Sequence, residues 1–144
     1  HLKVTRTFAL LNEMRYAVRG GRVPAWVRTV AELLRLTPII CTKPDGRISL
    51  SGFLFGHADR ARRFARYVAR RAPTSEALDV AIGHAVCEED AEMLAKAIRD
   101  QLPGVRKLTL MGLGTALGVH GGPGTLLISV MPHQSEYDVA AGGE

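Results

Sequence analysis

The sequence predicts an α/β domain: a two-layer sandwich of three to four helices against a mixed or mainly antiparallel sheet of about five to six strands. Two observations carry that prediction. Short apolar runs bounded by glycine and proline alternate with longer segments whose apolar residues recur at helical spacing, the pattern of helices layered on a sheet. The chain has 144 residues, 47% of them hydrophobic, which suffices for one buried core but not for a second full domain.

Residues 3–11, KVTRTFALL, read as a strand leading into a short helix around NEMRYAVR, which Gly20 and Gly21 stop as a C-terminal cap. Pro24 suits the first turn of a second helix, where Trp26, Val27, Val30, Leu33 and Leu34 make an apolar stripe. TPIICT and GRISLSGFLF are strand-like and meet at Pro44-Asp45-Gly46, where Asp-Gly predicts a hairpin. HADRARRFARYVARR (57–71) then places Ala58, Ala61, Phe64, Ala65 and Val68 on one face of a helix that ends before Pro73. ALDVAIGHAV (77–86) reads as a buried strand. EEDAEMLAKAIRDQL (88–102) is an amphipathic helix with Ala91, Leu94, Ala95, Ile98 and Leu102 on its apolar face. Its opening acids complement the positive end of the helix dipole, which explains them without a catalytic carboxylate pair. VRKLTLMGL and TLLISVM are two further strands, and the polar stretch 133–144 reads as a flexible tail.

Composition removes several function classes. No apolar run reaches the ~18 residues that a membrane-spanning helix needs. The chain opens at His1 with no basic-then-apolar leader and reads as part of something larger. Cys41 and Cys87 stand far apart in no metal-spaced pair, so the expectation is two reduced thiols and a cytoplasmic protein. The net charge is +5, and residues 57–71 alone hold six arginines against one aspartate. Such a basic helix could serve a nucleic-acid or protein-interaction module, although its apolar spacing also sets the arginines on a solvated side.

GTALGVHGGPGTLLI (114–128) is the most informative stretch. Gly112, Gly114 and Gly118 follow a strand, yet too few residues precede Gly121-Gly122-Pro123-Gly124 for the helix that a dinucleotide site requires. No Lys-Ser/Thr pair follows the glycines, which excludes a P-loop. No serine has a nucleophile-elbow context, and His57, His84, His120 and His133 lack metal-ligand spacing. Two readings stay open for His120. It is either a hydrogen-bond donor to a carboxylate or phosphate, helped by neighbouring backbone N–H groups, or part of a structural turn.

The order of three motifs goes further. LNEMRYAVRGGRV (11–23), LLRLTPIICTKPDGRIS (33–49) and LGVHGGPG (117–124) together resemble the C-terminal half of the DegV family, bacterial fatty-acid-binding proteins that include the lipid-carrying subunits of fatty-acid kinase. The resemblance implies a DegV-type C-terminal lipid-binding lobe over 1–132, with the N-terminal lobe absent from this chain. It implies a long-chain fatty acid whose carboxylate or acyl-phosphate headgroup is met by His120 and Arg22, with Gly21, Gly121, Gly122 and Gly124 around them. Trp26, Val30, Leu34 and Ile40 are the residues expected to line the acyl chain. The implied protein is a binder rather than an enzyme. It needs no cofactor or metal, engages no nucleic acid, and presents its lipid to a kinase partner or fused kinase domain. The chain departs from the family pattern at Phe55, where an arginine is usual, and at Gly121, where threonine is often found. Without its other lobe, the surface that faces it is expected to drive self-association.

Overall fold

The computed structural model describes residues 5–12, 24–56, 58–73, 77–113 and 121–133. The described residues form six strands and three helices. In chain order these are β1 (Arg6–Leu10), α1 (Ala25–Leu33), β2 (Leu36–Thr42), β3 (Ile48–Phe55), α2 (Arg60–Ala69), β4 (Leu78–His84), α3 (Glu88–Gln101), β5 (Val105–Gly112) and β6 (Leu126–Pro132). They make one sheet in the order β3-β2-β1-β6-β4-β5. All neighbours are antiparallel except β4 and β5, which run parallel because α3 carries the chain back across. The expected α/β class with a mixed sheet is therefore the observed one. The short helix expected around NEMRYAVR lies outside the described residues.

Local chemistry explains the elements. The β2–β3 hairpin turns at Asp45-Gly46, where Gly46 takes φ +87° and Asp45 accepts the Arg47 backbone N–H at 2.9 Å. Pro38 sits inside β2, which a central strand ordinarily forbids. Its carbonyl faces β1 and accepts the Leu11 N–H, so its missing donor points the same way. The β1–β2 ladder ends at Leu10–Ile39, so the only bond the proline removes is the reciprocal one to Leu11, just past the end of β1. Pro24 lies one residue earlier than expected: it is the extended residue just before α1, which starts at Ala25.

Helices α2 and α3 pack on each other and cover one face of the sheet. Phe64, Ala65 and Val68 of α2 and Ala91, Leu94 and Ile98 of α3 meet Phe8, Leu10, Ile39, Val80, Ile82, Ile128 and Val130. Burial of such side chains contributes about 1.5–3 kcal/mol each. Of the expected helical apolar face, Ala58 is the exception. It precedes α2 and is exposed.

Side chains alternate across a strand, so Ala9 and Leu11 point away from the helices and form a second, smaller cluster with Leu36, Ile40 and Leu127. Cross-strand pairing extends that cluster into a row. Leu50 lies opposite Ile40, Ile40 opposite Ala9, Ala9 opposite Leu127, Leu127 opposite Gly83, and Gly83 opposite Met111. Every position is apolar, and the row crosses all six strands on the face that α2 and α3 leave uncovered. Phe53 and Phe55 flank it on β3, and both are exposed.

Candidate functional site

The glycine turn 121–125 is the node on which three other segments converge. Gly122 and Gly124 take φ +77° and +90°, conformations open to glycine at no steric cost. At Gly124 a Cβ would also stand 2.7 Å from Asn12 Nδ2, so no larger residue fits. The turn is stitched to the end of β4 by Gly124 N–H to Ala85 O (2.7 Å) and Ala85 N–H to Thr125 O (3.0 Å). Thr125, buried, donates its hydroxyl to Gly121 O at 2.6 Å. A Cβ on Gly121 would lie 2.5 Å from that same hydroxyl oxygen, which gives the glycine at this position a steric reason.

Two side chains grip the turn from outside. Asn12, just past β1, donates Nδ2 to Pro123 O at 2.8 Å. Arg60, the first residue of α2, donates Nη2 to Gly124 O at 2.6 Å and to Asp90 Oδ2 at 2.7 Å, with Nε reaching the same carboxylate oxygen at 3.3 Å. Its side chain is 12% exposed and that of Asp90 31%. Arg60 is thus no solvated arginine, in contrast to the expectation for the helix as a whole, and Asp90 does more than complement a dipole. The reason lies in tertiary contact: the two helices pack so that the N-terminus of each faces the glycine turn. A concavity of about 470 Å³ opens beside them, lined by Asn12, Arg60, Arg62, Asp90, Met93 and Gly124 among others.

The loop joining β4 to α3 also contacts the glycine turn. Cys87 N–H donates to His84 Nδ1 at 3.3 Å, and the Cys87 thiol donates to Thr125 O at 3.5 Å. Burial pushes the Cys87 thiol above its ordinary pKa, and the nearby Arg60 charge opposes that rise only in part. Val86, between Ala85 and Cys87, holds φ +55° while 91% exposed. A β-branched residue in that conformation is strained.

Of the residues expected to meet a headgroup, Gly121, Gly122 and Gly124 lie together in this turn. His120, Arg22 and Gly21 fall outside the described residues. Of those expected to line an acyl chain, Ile40 belongs to the apolar row, half-buried. Trp26, Val30 and Leu34 are exposed around α1, Trp26 at 68%. Phe55 is exposed at the open edge of β3, and Arg63 of α2 donates to its carbonyl. Among the described residues no group of three or more His, Cys, Asp or Glu could hold a metal ion. Both cysteines are free thiols. No described helix is long and apolar enough to cross a membrane.

Sequence reasoning missed Asn12, Arg60 and Asp90. Each was visible only as part of a pattern with a local explanation: a strand end, a basic helix face, and an acidic first turn. His133 was assigned to the tail, yet it is anchored, with its N–H on Ala77 O and its ring 2.7 Å from Asp79.

Comparison with known proteins places the chain. Residues 1–133 match the family model described as an uncharacterised protein of the DegV family. The chain belongs to the DegV family. A DegV domain-containing protein of Clostridium perfringens is 30% identical over 128 residues, which is 89% of this chain and 45% of that protein. The chain therefore spans less than half the length of this relative. Among solved structures, a DegV family protein of Corynebacterium glutamicum superposes with a TM-score of 0.76 at 23% identity, covering 92% of this chain and 50% of that one. A DegV family protein of Eubacterium eligens loaded with heptadecanoic acid gives 0.74 at 20% identity, with 90% and 46% covered. The fatty acid kinase B3 protein of Streptococcus pneumoniae, loaded with linoleic acid, gives 0.72 at 16% identity, with 87% and 43% covered. These likenesses show a shared fold.

Proposed function

We propose that this chain is the C-terminal, lipid-binding lobe of a two-lobe fatty-acid-binding protein. The single observation that carries the reading is the apolar row Leu50–Ile40–Ala9–Leu127–Gly83–Met111 on the sheet face opposite α2 and α3. Five inter-strand steps of ~4.8 Å make it about 24 Å long, a track on the scale of a long acyl chain. Leu127, in the middle of the row, is two residues from Thr125 at the end of the glycine turn, so an acyl chain there has its headgroup within reach of that turn. The ligands carried by the Eubacterium and Streptococcus proteins are of that kind.

In this reading His120, immediately before Gly121, and Arg22 meet the carboxylate or acyl phosphate, and an N-terminal lobe closes over the apolar face. A cation and an imidazole facing an anionic headgroup form charge-assisted hydrogen bonds. The chain itself performs no reaction. It buries the acyl chain at ~0.8 kcal/mol per methylene before association costs, and offers the headgroup to a cytoplasmic kinase or fused kinase domain. Exposed alone, the same face drives self-association.

The test is titration of a fluorescent long-chain fatty acid into the full two-lobe protein and into this chain, each with Ile40→Glu and His120→Ala. Micromolar binding is expected in the full protein, weakened at least tenfold by either substitution. Affinity unchanged by Ile40→Glu would overturn the reading.

A second reading rests on Arg62, Arg66 and Arg70. They recur every fourth residue along α2 and just past its end, are exposed, and make no ion pair among the described residues. If that row served nucleic acid, DNA binding would fall steeply with salt and vanish on replacing those arginines.

A further inference from the structure

At the end of the sheet remote from the glycine turn, two adjoining concavities share the side chains of Arg6, Thr7 and Thr42. One, of about 340 Å³, lies between Arg6 and Arg71 over Phe8 and Cys41. The other, of about 250 Å³, continues past Thr42 to Lys43. Arg6, Arg71 and Lys43 thus line this two-part groove, and among the described residues neither part is lined by a carboxylate. The nearest acid in the hairpin, Asp45, is taken by Arg47 at 3.4 Å. Arg6 pairs with Val130 while Leu10 pairs with Leu126, so the groove and the glycine turn are at opposite ends of β1.

Arg71 is held in place. Its guanidinium lies 3.5 Å over the Tyr67 ring, and Nη1 donates to Tyr67 O at 3.0 Å. Tyr67 in turn stands edge-on to Phe8, with ring centroids 5.9 Å apart, and its hydroxyl is 2.5 Å from Ser51 Oγ. A guanidinium stacked on a ring keeps its in-plane N–H donors available at its edge, and the stacking reduces the side-chain entropy lost on binding. Arg6, on the same side of β1 as Phe8, makes no ion pair among the described residues. Cations held about one groove with no counter-charge among the described residues repel one another, and an anion with several acceptor oxygens relieves that repulsion. A carboxylate would satisfy one guanidinium fork. A phosphate group has the oxygens for two forks and an ammonium.

We propose that the groove between Arg6, Arg71 and Lys43 is a binding site for a phosphate group, distinct from the fatty-acid site and independent of that reading. The chemistry is the same whether the phosphate belongs to a soluble ester or to a lipid headgroup. The probes are inorganic phosphate, glycerol phosphate, and phosphatidylcholine vesicles with and without phosphatidic acid. Sodium acetate at matched ionic strength is the control. Backbone amide shifts of the labelled protein are followed in wild type, Arg71→Ala, Arg71→Lys, Arg6→Ala and, as a charge-matched control away from the groove, Arg66→Ala.

The expected result is saturable millimolar binding of at least one phosphate probe, with shifts at Arg6, Thr42 and Arg71. Acetate should bind more weakly. Arg6→Ala and Arg71→Ala should weaken binding at least tenfold, Arg71→Lys should restore part of it, and Arg66→Ala should change it less than twofold. Binding of the soluble probes assigns the site to a soluble ester, and binding only of the phosphatidic-acid vesicles assigns it to a headgroup. No saturable shift with any phosphate probe, or equal losses in Arg66→Ala and Arg71→Ala, overturns the proposal.

Discussion

Replacing Arg60 by alanine is the perturbation that tests the architecture of the glycine turn most directly. The guanidinium makes two short contacts, to Asp90 Oδ2 at 2.7 Å and to Gly124 O at 2.6 Å, and a weaker one to Asn12 Oδ1 at 3.5 Å. Hydrogen bonds to charged groups contribute about 1.5–3 kcal/mol each. Removing the cation also strands Asp90, whose side chain is only 31% exposed. Breaking a fully buried pair costs about 3–5 kcal/mol, and partial solvation of the carboxylate reduces that figure. The expected loss is about 3 kcal/mol, or about 10 °C in melting temperature for a chain of this size. Arg60→Ala/Asp90→Asn should lose less than the sum of the single changes, because the second removes the charge that the first strands. Urea unfolding of the four proteins measures both quantities. An Arg60→Ala protein within 0.5 kcal/mol of wild type, or strict additivity in the double variant, would refute the clamp.

Three further outcomes follow from the same corner of the fold. Val86→Gly should stabilise the chain by about 1 kcal/mol, since the left-handed strain is relieved and an exposed side chain gives up no packing; a destabilised variant in thermal melts would count against it. Gly121→Ala should cost about 2 kcal/mol through contact with the Thr125 side chain, and Gly121→Ala/Thr125→Ala should lose less than the sum of its parts. The Cys87 thiol has a folded-state pKa raised above its ordinary 9.0, chiefly by burial. Its contribution to stability is complete below that value and is lost as pH rises through the folded-state value. Wild type should therefore lose stability more steeply than Cys87→Ser above pH 9 in urea titrations, and parallel curves would show the thiol to be uninvolved.

The elements were legible wherever a periodic apolar pattern had a local terminator. Phe64, Ala65 and Val68 announce a helix face, and Asp45-Gly46 announces a hairpin, because both signals operate within a few residues. Strand order was not legible. That β1 pairs with β6 as well as β2 depends on contacts more than a hundred residues apart, such as Thr7 Oγ1 to Ser129 Oγ at 2.8 Å. The site divides along the same line. Its glycines could be read because a turn needs them locally. Arg60 and Asp90 are 30 residues apart, and each satisfied a local rule that concealed the other.

The two faces of the sheet set the central physical problem of this lobe. A sheet with helices on one side commonly presents polar residues on the other. Here α2 and α3 cover one face, while the other carries the row from Leu50 to Met111 flanked by Phe53 and Phe55. Toward the remote end of the same face the sequence becomes polar, with Thr7, Ser129 and Thr109 in register through Ala81. The apolar half is therefore localised rather than a general property of the sheet, and it lies on the side of the glycine turn. Self-association alone would not demand that placement, since any apolar patch can bury itself against a copy. The amphiphile proposed above would use that placement, because its apolar track then passes beside donors for a polar head. The clamp of Arg60, Asp90 and Asn12 gives that coincidence its rigidity. Under the proposed function, a track whose polar donors could shift would bind the chain without fixing the head, and only a fixed head can be offered to a second protein.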